Sequence, residues 1–300
     1  MPAIKKIEDW PNPYAAGVTI TTAHYQIHTT LLDPLILRQL PAFMESAHRE
    51  YNKQLPRPIQ TQTLFKTYLF ADRRQWESFT KTFTGPMAKQ YLAIKKGAYY
   101  LNGACVAYNI GRTRTFSVLG HEGWHQFNSK HFIYRLPSWL DEGIATLFEA
   151  YRDEKGAFTF MPARNSGRLG GLKQTIATGN MMPLSELIRL NPGQVVHGDP
   201  DKMVSFYSQS YGLVRFLREE GYGIRLKKYH ALLLDALGGK WPINAELSKI
   251  ASDRNIPLTV RWNAFISPKL FSHYLNENLD NVENEYRAFC NKIVYHVRIK

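Results

Sequence analysis

The sequence predicts an α+β protein: a small mixed β-sheet with helices in the N-terminal part, then a mainly helical C-terminal half. Three observations carry this. Strand-like and helix-like segments alternate through about residue 110. Beyond about residue 115, apolar residues recur at helical spacing in one segment after another. The length of 300 residues, with 44% hydrophobic and 21% charged residues, suits a globular chain of one large domain or two modest ones. The reading divides the chain into 1–114, an α/β part; 115–220, a helical part; and 221–300, a C-terminal helical region. A cleft is expected between the α/β and helical halves.

The elements follow in order. TITTAHYQIHTT, 19–30, alternates and is rich in threonine, as a strand is. Residues 34–54 place Leu37, Leu40, Phe43, Met44, Ala47 and Tyr51 at helical spacing, and the proline-rich QLPRPIQTQ ends that helix. TLFKTYLF, 63–70, reads as a buried strand, and Asp72 can cap a helix running to about Phe83. AYYLNGACVAYNI, 98–110, reads as two strands around Asn102-Gly103, a strong hairpin signal. Residues 115–130 and 139–151 read as helices. Residues 161–182, rich in Gly, Arg and Asn, read as a long excursion. Helical periodicity resumes at about 183–190, 203–219, 225–237, 244–253 and 279–291.

Lysine plus arginine outnumber aspartate plus glutamate by 38 to 25, a net charge of +13. The basic residues are dispersed, with no stripe interleaved with aromatics, so a solvated basic surface is expected and nucleic-acid binding is not. No apolar run is long enough to span a bilayer. The opening MPAIKKIEDWPNPY has no apolar core of a signal peptide, though a processed chain would look the same. The two cysteines, Cys105 and Cys290, are compatible with one long-range disulfide or with two buried thiols.

The stretch HEGWH, 121–125, carries the chemistry. Four helical residues turn the chain by about 400°, so His121 and His125 share a face and their imidazoles can reach one ion. Zinc accepts neutral imidazole nitrogen well. Glu122 lies about 100° round the helix, placed to take a proton from water rather than to be a third ligand. Leu119, Trp124 and Phe127 form the expected buried side of that helix. A catalytic zinc needs a third protein ligand and an open position. LPSWLDEGIATLFEAY, 136–151, offers Glu142, on a second helix starting at Pro137 and Ser138. Gly143 is costly inside a helix and signals a close approach, expected from the HEGWH helix. Asp141 and Glu149 are the competing carboxylates: Glu149 is read as too far along the helix to share the ion, and Asp141 as the acceptor that orients a ligating histidine.

HExxH followed by W-L-x-E-G-x-A resembles the gluzincin zinc metallopeptidases, and WLDEGIA, 139–145, has aspartate where their aminopeptidases have asparagine. The spacer from His125 to Glu142 is a little short for that group. YSQSYGLVRFL, 207–217, resembles its tyrosine-bearing helix. By that resemblance Tyr207, with Tyr211 as runner-up, donates to the oxyanion of the tetrahedral intermediate, a role a phenol suits in a dry cleft. Residues of about 20–220 resemble peptidase MA-like domains, a bacterial branch whose members are usually exported. The resemblance therefore implies a zincin-like fold, bound Zn2+, a peptide or protein substrate, and an extracytoplasmic or secreted location. The aminopeptidase GxMEN motif is not evident; its place reads LNGACVAYN, 101–109, so aminopeptidase specificity is not carried over.

The expected activity is zinc-dependent peptide hydrolysis, with the strand near Val106–Ile110 pairing with an extended substrate. The alternatives are an inactive zinc-binding scaffold and a zinc hydrolase acting on a non-peptide amide. His24 and His28, four apart on one predicted strand, read as an exposed or hydrogen-bonded pair rather than a second metal site. Arg164, Arg168 and Lys173 read as part of a solvated loop, the alternative being a cleft wall that meets an acidic substrate.

Overall fold

A computed structural model describes residues 4–94, 97–196, 199–254, 260–275 and 277–298. It divides into two compact units: Met1–Lys130 with Phe148–Pro162, and His131–Leu147 with Ala163–Lys300. The helix bearing HEGWH falls in the first unit and the segment bearing Glu142 in the second.

The first unit contains β1 (Lys6–Asp9), β2 (Val18–Thr21), β3 (Tyr25–Thr29), α1 (Pro34–Asn52), β4 (Phe65–Phe70), α2 (Arg73–Thr84), α3 (Ala88–Leu92), β5 (Ala98–Leu101), β6 (Ala104–Tyr108), α4 (Arg112–His131), β7 (Tyr151–Glu154) and β8 (Ala157–Phe160). Six strands form one mixed sheet in the order β1-β2-β3-β4-β6-β5. β3, β4 and β6 are mutually parallel neighbours, and the flanking pairings are antiparallel. β7 and β8 form a separate hairpin.

Local chemistry sets most of these bounds. The Asp33 carboxylate accepts from the Leu35 and Ile36 N–H groups and starts α1, with Pro34 at its first position. The predicted face of α1 is buried at Leu40, Phe43, Met44, Ala47 and Tyr51. Asp72 caps α2 by accepting from the Gln75 N–H, as read from the sequence. Asn102 and Gly103 both take positive φ, 49° and 80°, and close the β5–β6 hairpin.

The predicted single strand over 19–30 is instead a hairpin, broken at Thr22–His24. The Thr22 N–H bonds the Tyr25 carbonyl at 2.9 Å, and the Thr22 hydroxyl donates to Glu45 Oε1 at 2.6 Å. Side-chain bonding to α1 thus competes with extended structure. His24 therefore lies in a turn, with Nδ1 2.7 Å from Glu45 Oε2 and its ring stacked on His48 at 3.9 Å. His28 lies on β3, with Nδ1 2.9 Å from the Thr19 hydroxyl, so the two histidines share no strand face. β1, KIED, was not read from the sequence: all four residues are exposed, so no alternation marks it.

Phe70, Trp76, Tyr99, Val106 and Tyr108 form a core between the sheet and α2. Helix α4 is fixed to the sheet by Gln126, whose Nε2 donates to the carbonyls of Lys66 and Gly103, each at 2.8 Å. Leu119, Trp124 and Phe127 are fully buried, as the helix pattern predicts.

The second unit contains α5 (Ser138–Ala145), α6 (Ser166–Ala177), α7 (Leu184–Leu187), α8 (Pro192–Val196), α9 (Pro200–Glu219), α10 (Leu226–Gly238), α11 (Ala245–Ser252), α12 (Val260–Leu275) and α13 (Leu279–Val294). Helix α9 is its axis, packing on α5, α6, α8, α10 and α13. It is buried nearly all round from Ser205 to Leu217, as a central helix must be.

Two segments differ from the sequence pattern. The helix expected over 139–151 ends at Ala145, where the Thr146 hydroxyl bonds the Gly143 carbonyl at 2.6 Å; a 3-10 turn, Thr146–Phe148, follows, and the chain then enters β7. The excursion expected over 161–182 contains α6, capped by Asn165 Oδ1 on the Arg168 N–H; its glycines lower helix propensity and hid it. Helix α12 was also not read, since Pro268 interrupts its pattern. Cys105 and Cys290 are free, buried thiols, not a disulfide. Among the described residues, no helix is long and apolar enough to cross a membrane.

Candidate metal centre

Helix α4 presents HEGWH by pressing its glycines onto aromatic and backbone groups. Tyr51 of α1 is fully buried, and its hydroxyl donates to the Gly120 carbonyl at 2.7 Å. A Cβ at Gly123 would collide with that same hydroxyl, and one at Gly120 with the Phe148 carbonyl oxygen. The glycine inside HEGWH is thus required by packing, and it fixes the height and rotation of the helix under its histidines.

His121 and His125 have ring centroids 5.1 Å apart at an interplanar angle of 71°. His121 Nδ1 lies 2.9 Å from Glu149 Oε1. That carboxylate favours the Nδ1–H tautomer and so places the lone pair of His121 on Nε2, the arrangement a cation needs. Glu149 is itself held twice by α4, because the Ser117 hydroxyl donates to its backbone carbonyl. The β7–β8 hairpin follows at once and is anchored by Tyr151, Phe158 and Phe160 against Phe43. The sequence reading gave the orienting role to Asp141; for His121 it belongs to Glu149. The chain leaves the helix after Ala145, so the expected two-turn separation of Glu149 along one helix does not apply.

Glu142 lies in α5, which starts at Ser138 after Pro137, as predicted. The start is pinned where Asn263 Oδ1 accepts from the Ser138 N–H at 2.9 Å and Trp139 Nε1 donates to Ser267 at 2.9 Å. Gly143 does serve a close approach, but with a different partner from the one expected. A Cβ there would sit 2.5 Å from the Ser210 carbonyl oxygen and 2.6 Å from a Val214 methyl, both on α9.

One donor atom each of His121, His125 and Glu142 falls within 4.8 Å of the others, and all three residues are half-buried. Two imidazole nitrogens and a carboxylate oxygen at this spacing could hold one metal ion. Glu122 is also half-buried. Burial pushes the Cys105 thiol well above its usual range, and the charge of Glu122 adds to the shift.

The two candidate tyrosines differ. Tyr211 is fully buried, and its oxygen accepts from Arg215 Nη1 at 2.9 Å, a packing role within α9. Tyr207 is half-buried, with the Arg168 guanidinium 5.1 Å from its ring centroid. It stands three residues before Ser210 on the α9 face that meets α5 at Gly143. Arg168 and Lys173 belong to α6 rather than to a solvated loop, and Lys173 Nζ donates to the Val297 carbonyl.

Sequence reasoning placed Tyr51 on the apolar face of α1 but missed its contact with α4, and it missed Asn165 and the part played by Glu149. The paired glycines of GHEG were the available signal for Tyr51; nothing in the spacing marked Glu149. In comparisons with known proteins, the chain matches no family model and no curated protein.

Proposed function

We propose that the protein is a zinc-dependent metallopeptidase. The observation that carries the reading is the convergence of His121, His125 and Glu142 donor atoms within 4.8 Å, with Glu122 one residue beyond the first histidine. His121, His125 and Glu142 would hold zinc, which when bound supplies Lewis acidity toward a carbonyl oxygen and toward water. Glu122 is the general base: its carboxylate takes a proton from the attacking water and returns it to the leaving amine. The Tyr207 hydroxyl donates to the developing oxyanion, where a preoriented donor stabilises the transition state more than the ground state. Glu149 keeps the His121 ring in one tautomer and one orientation.

Main-chain pairing with an extended substrate, first expected at the strand near Val106–Ile110, cannot occur on β6, because β6 is already paired with β4 and β5. The outer strand β5 takes that place in the proposal. Export from the cytoplasm, which the family resemblance implies, belongs to the same proposal.

The test begins with elemental analysis of purified wild type and His125→Ala. About one zinc per chain in wild type, lost in the variant, is the expected result. No metal in wild type after incubation with zinc overturns the reading. Digestion of a peptide library by wild type and Glu122→Gln then separates an enzyme from a scaffold: the variant keeps its zinc and loses turnover. Turnover equal to wild type would remove Glu122 from the mechanism.

A further inference from the structure

We infer that Arg168 is a positioning residue, whose guanidinium over the ring of Tyr207 fixes that phenol and strengthens it as a hydrogen-bond donor to negative charge. The inference rests on the proposed role of Tyr207 as the oxyanion donor.

Arg168 reaches Tyr207 from a different helix, and that helix is located by contacts on both sides of the tyrosine. At the start of α6, the Asn165 side chain donates from Nδ2 to the Thr146 carbonyl at 3.0 Å, and Thr146 caps the end of α5. The same side chain accepts from the Arg168 N–H at 3.2 Å. One buried amide therefore ties the helix of Glu142 to the residue that carries the guanidinium. On the other side, Gly171 lets α6 approach α9 closely: a Cβ there would collide with the Ser208 hydroxyl and lie 3.0 Å from a Val204 methyl. Gly171 is three residues after Arg168, and Ser208 follows Tyr207, so this contact lies one helical turn from the guanidinium–ring pair. Gly143 against Ser210 closes the third side. Glu142, Arg168 and Tyr207 are thus held in one frame by small residues and one amide.

The geometry is specific. In the Tyr211–Arg215 pair, the guanidinium nitrogen meets the phenol oxygen at 2.9 Å. In the Tyr207–Arg168 pair, the guanidinium lies over the ring, 5.1 Å from its centroid. A cation over the π face draws electron density from the ring, makes the hydroxyl more acidic and restrains ring motion. The greater acidity favours donation to an oxyanion over donation to a neutral carbonyl, and the restraint keeps the donor aimed.

The test reads Tyr207 directly, without need of a substrate. Tyrosinate absorbance is titrated in wild type, Arg168→Met and Arg168→Lys and in the Tyr207→Phe derivative of each, all first checked for native helix content by circular dichroism. The difference between each parent and its Tyr207→Phe derivative isolates this phenol from the other tyrosines. Arg168→Met should lower the Tyr207 ionisation constant about two- to fivefold, the range expected for one cation–π contact. Arg168→Lys, which keeps the charge, should retain most of the effect, and it serves as the folded comparison if the methionine variant is unstable. Equal ionisation in wild type and Arg168→Met overturns the inference, as does an equal loss in the lysine and methionine variants. Peptide-library turnover supplies the second readout: Arg168→Met should lower kcat with KM little changed. A shifted ionisation with unchanged kcat overturns the catalytic role of the pair. Unchanged turnover in Tyr207→Phe defeats the oxyanion reading itself, and absence of zinc defeats the metallopeptidase reading; the absorbance titration depends on neither.

Discussion

Gly143→Ala sets two physical effects against each other with opposite signs. Alanine in a helix interior is favoured over glycine by about 1 kcal/mol, so propensity alone predicts a more stable protein. Packing predicts the reverse. The new Cβ would sit 2.5 Å from the Ser210 carbonyl oxygen and 2.6 Å from a Val214 methyl. Ordinary contact begins near 3.4 Å, so α5 must withdraw from α9 by about 0.9 Å. The Ser210 carbonyl belongs to the backbone of a central, buried helix and cannot rotate away. Overpacking of this kind costs about 1–3 kcal/mol, which leaves a net loss of about 0–2 kcal/mol after the propensity gain. For a unit of this size, each kcal/mol corresponds to about 2–4 °C in Tm. Glu142 is the adjacent residue and moves with the helix. Zinc affinity should therefore fall by about tenfold, the low end of the loss expected when the support of a metal ligand is disturbed. Thermal denaturation and competition against a chromophoric chelator measure the two effects. A Tm raised above wild type together with unchanged zinc affinity would refute the packing argument and leave helix propensity as the only effect at this position.

Further outcomes follow from other parts of the molecule. Glu149→Gln removes the charged acceptor 2.9 Å from His121 Nδ1 and should weaken zinc binding about 10–100-fold in the same chelator competition, while helix content is unchanged. Equal affinity would remove Glu149 from the site. Burial alone would raise the Glu45 carboxyl, but hydrogen bonds from the Thr22 hydroxyl, the His24 ring and the His24 N–H hold it below its ordinary 4.5. A carboxyl lowered by folding contributes stability above its unfolded pKa and loses it as pH falls through the folded value. The urea-midpoint advantage of wild type over Glu45→Gln should therefore be full near pH 6–7 and shrink progressively below about pH 4.5; an advantage independent of pH would refute the assignment. Burial pushes the Cys290 thiol up to about 12 and Cys105 well above its usual value. Both should resist a thiol reagent at about pH 8 in the native protein and react once it is unfolded; fast native labelling would contradict their burial.

The fold was legible where local chemistry and tertiary packing agree. Asp72, the Asn102-Gly103 turn and the apolar face of α1 each name an element, and each stands where the pattern put it. The misreadings occur where side chains or neighbours override the backbone pattern. Threonine and histidine alternation over 19–30 looks like one strand, yet Glu45 of α1 takes the Thr22 hydroxyl and the His24 N–H and bends the chain there. The glycines of α6 and Pro268 of α12 argue against helices whose packing overrides them. Periodicity records which residues are apolar; it does not record which neighbour will pull a polar group out of register.

The candidate site divides along the same line. His121, Glu122, His125 and Glu142 could be named as candidates because helix geometry converts a spacing of four into a shared face, and because a carboxylate that could be a third ligand stands nearby in sequence. Glu149 could not be named in its role, since its position depends on the chain leaving the helix at Ala145 and on Ser117 capturing its carbonyl. The glycines mark the intermediate case. Gly123 and Gly143 each announce that something must come close, but only the fold says what: a tyrosine hydroxyl beneath HEGWH, and a backbone carbonyl beneath the Glu142 helix. Neither partner is among the candidate metal ligands, yet each limits how closely the helix that carries those candidates can pack. Substitutions at these glycines should therefore disturb zinc binding without touching a donor atom, and a helix with HExxH but with a larger residue at the position of Gly123 would not fit over Tyr51 in this fold.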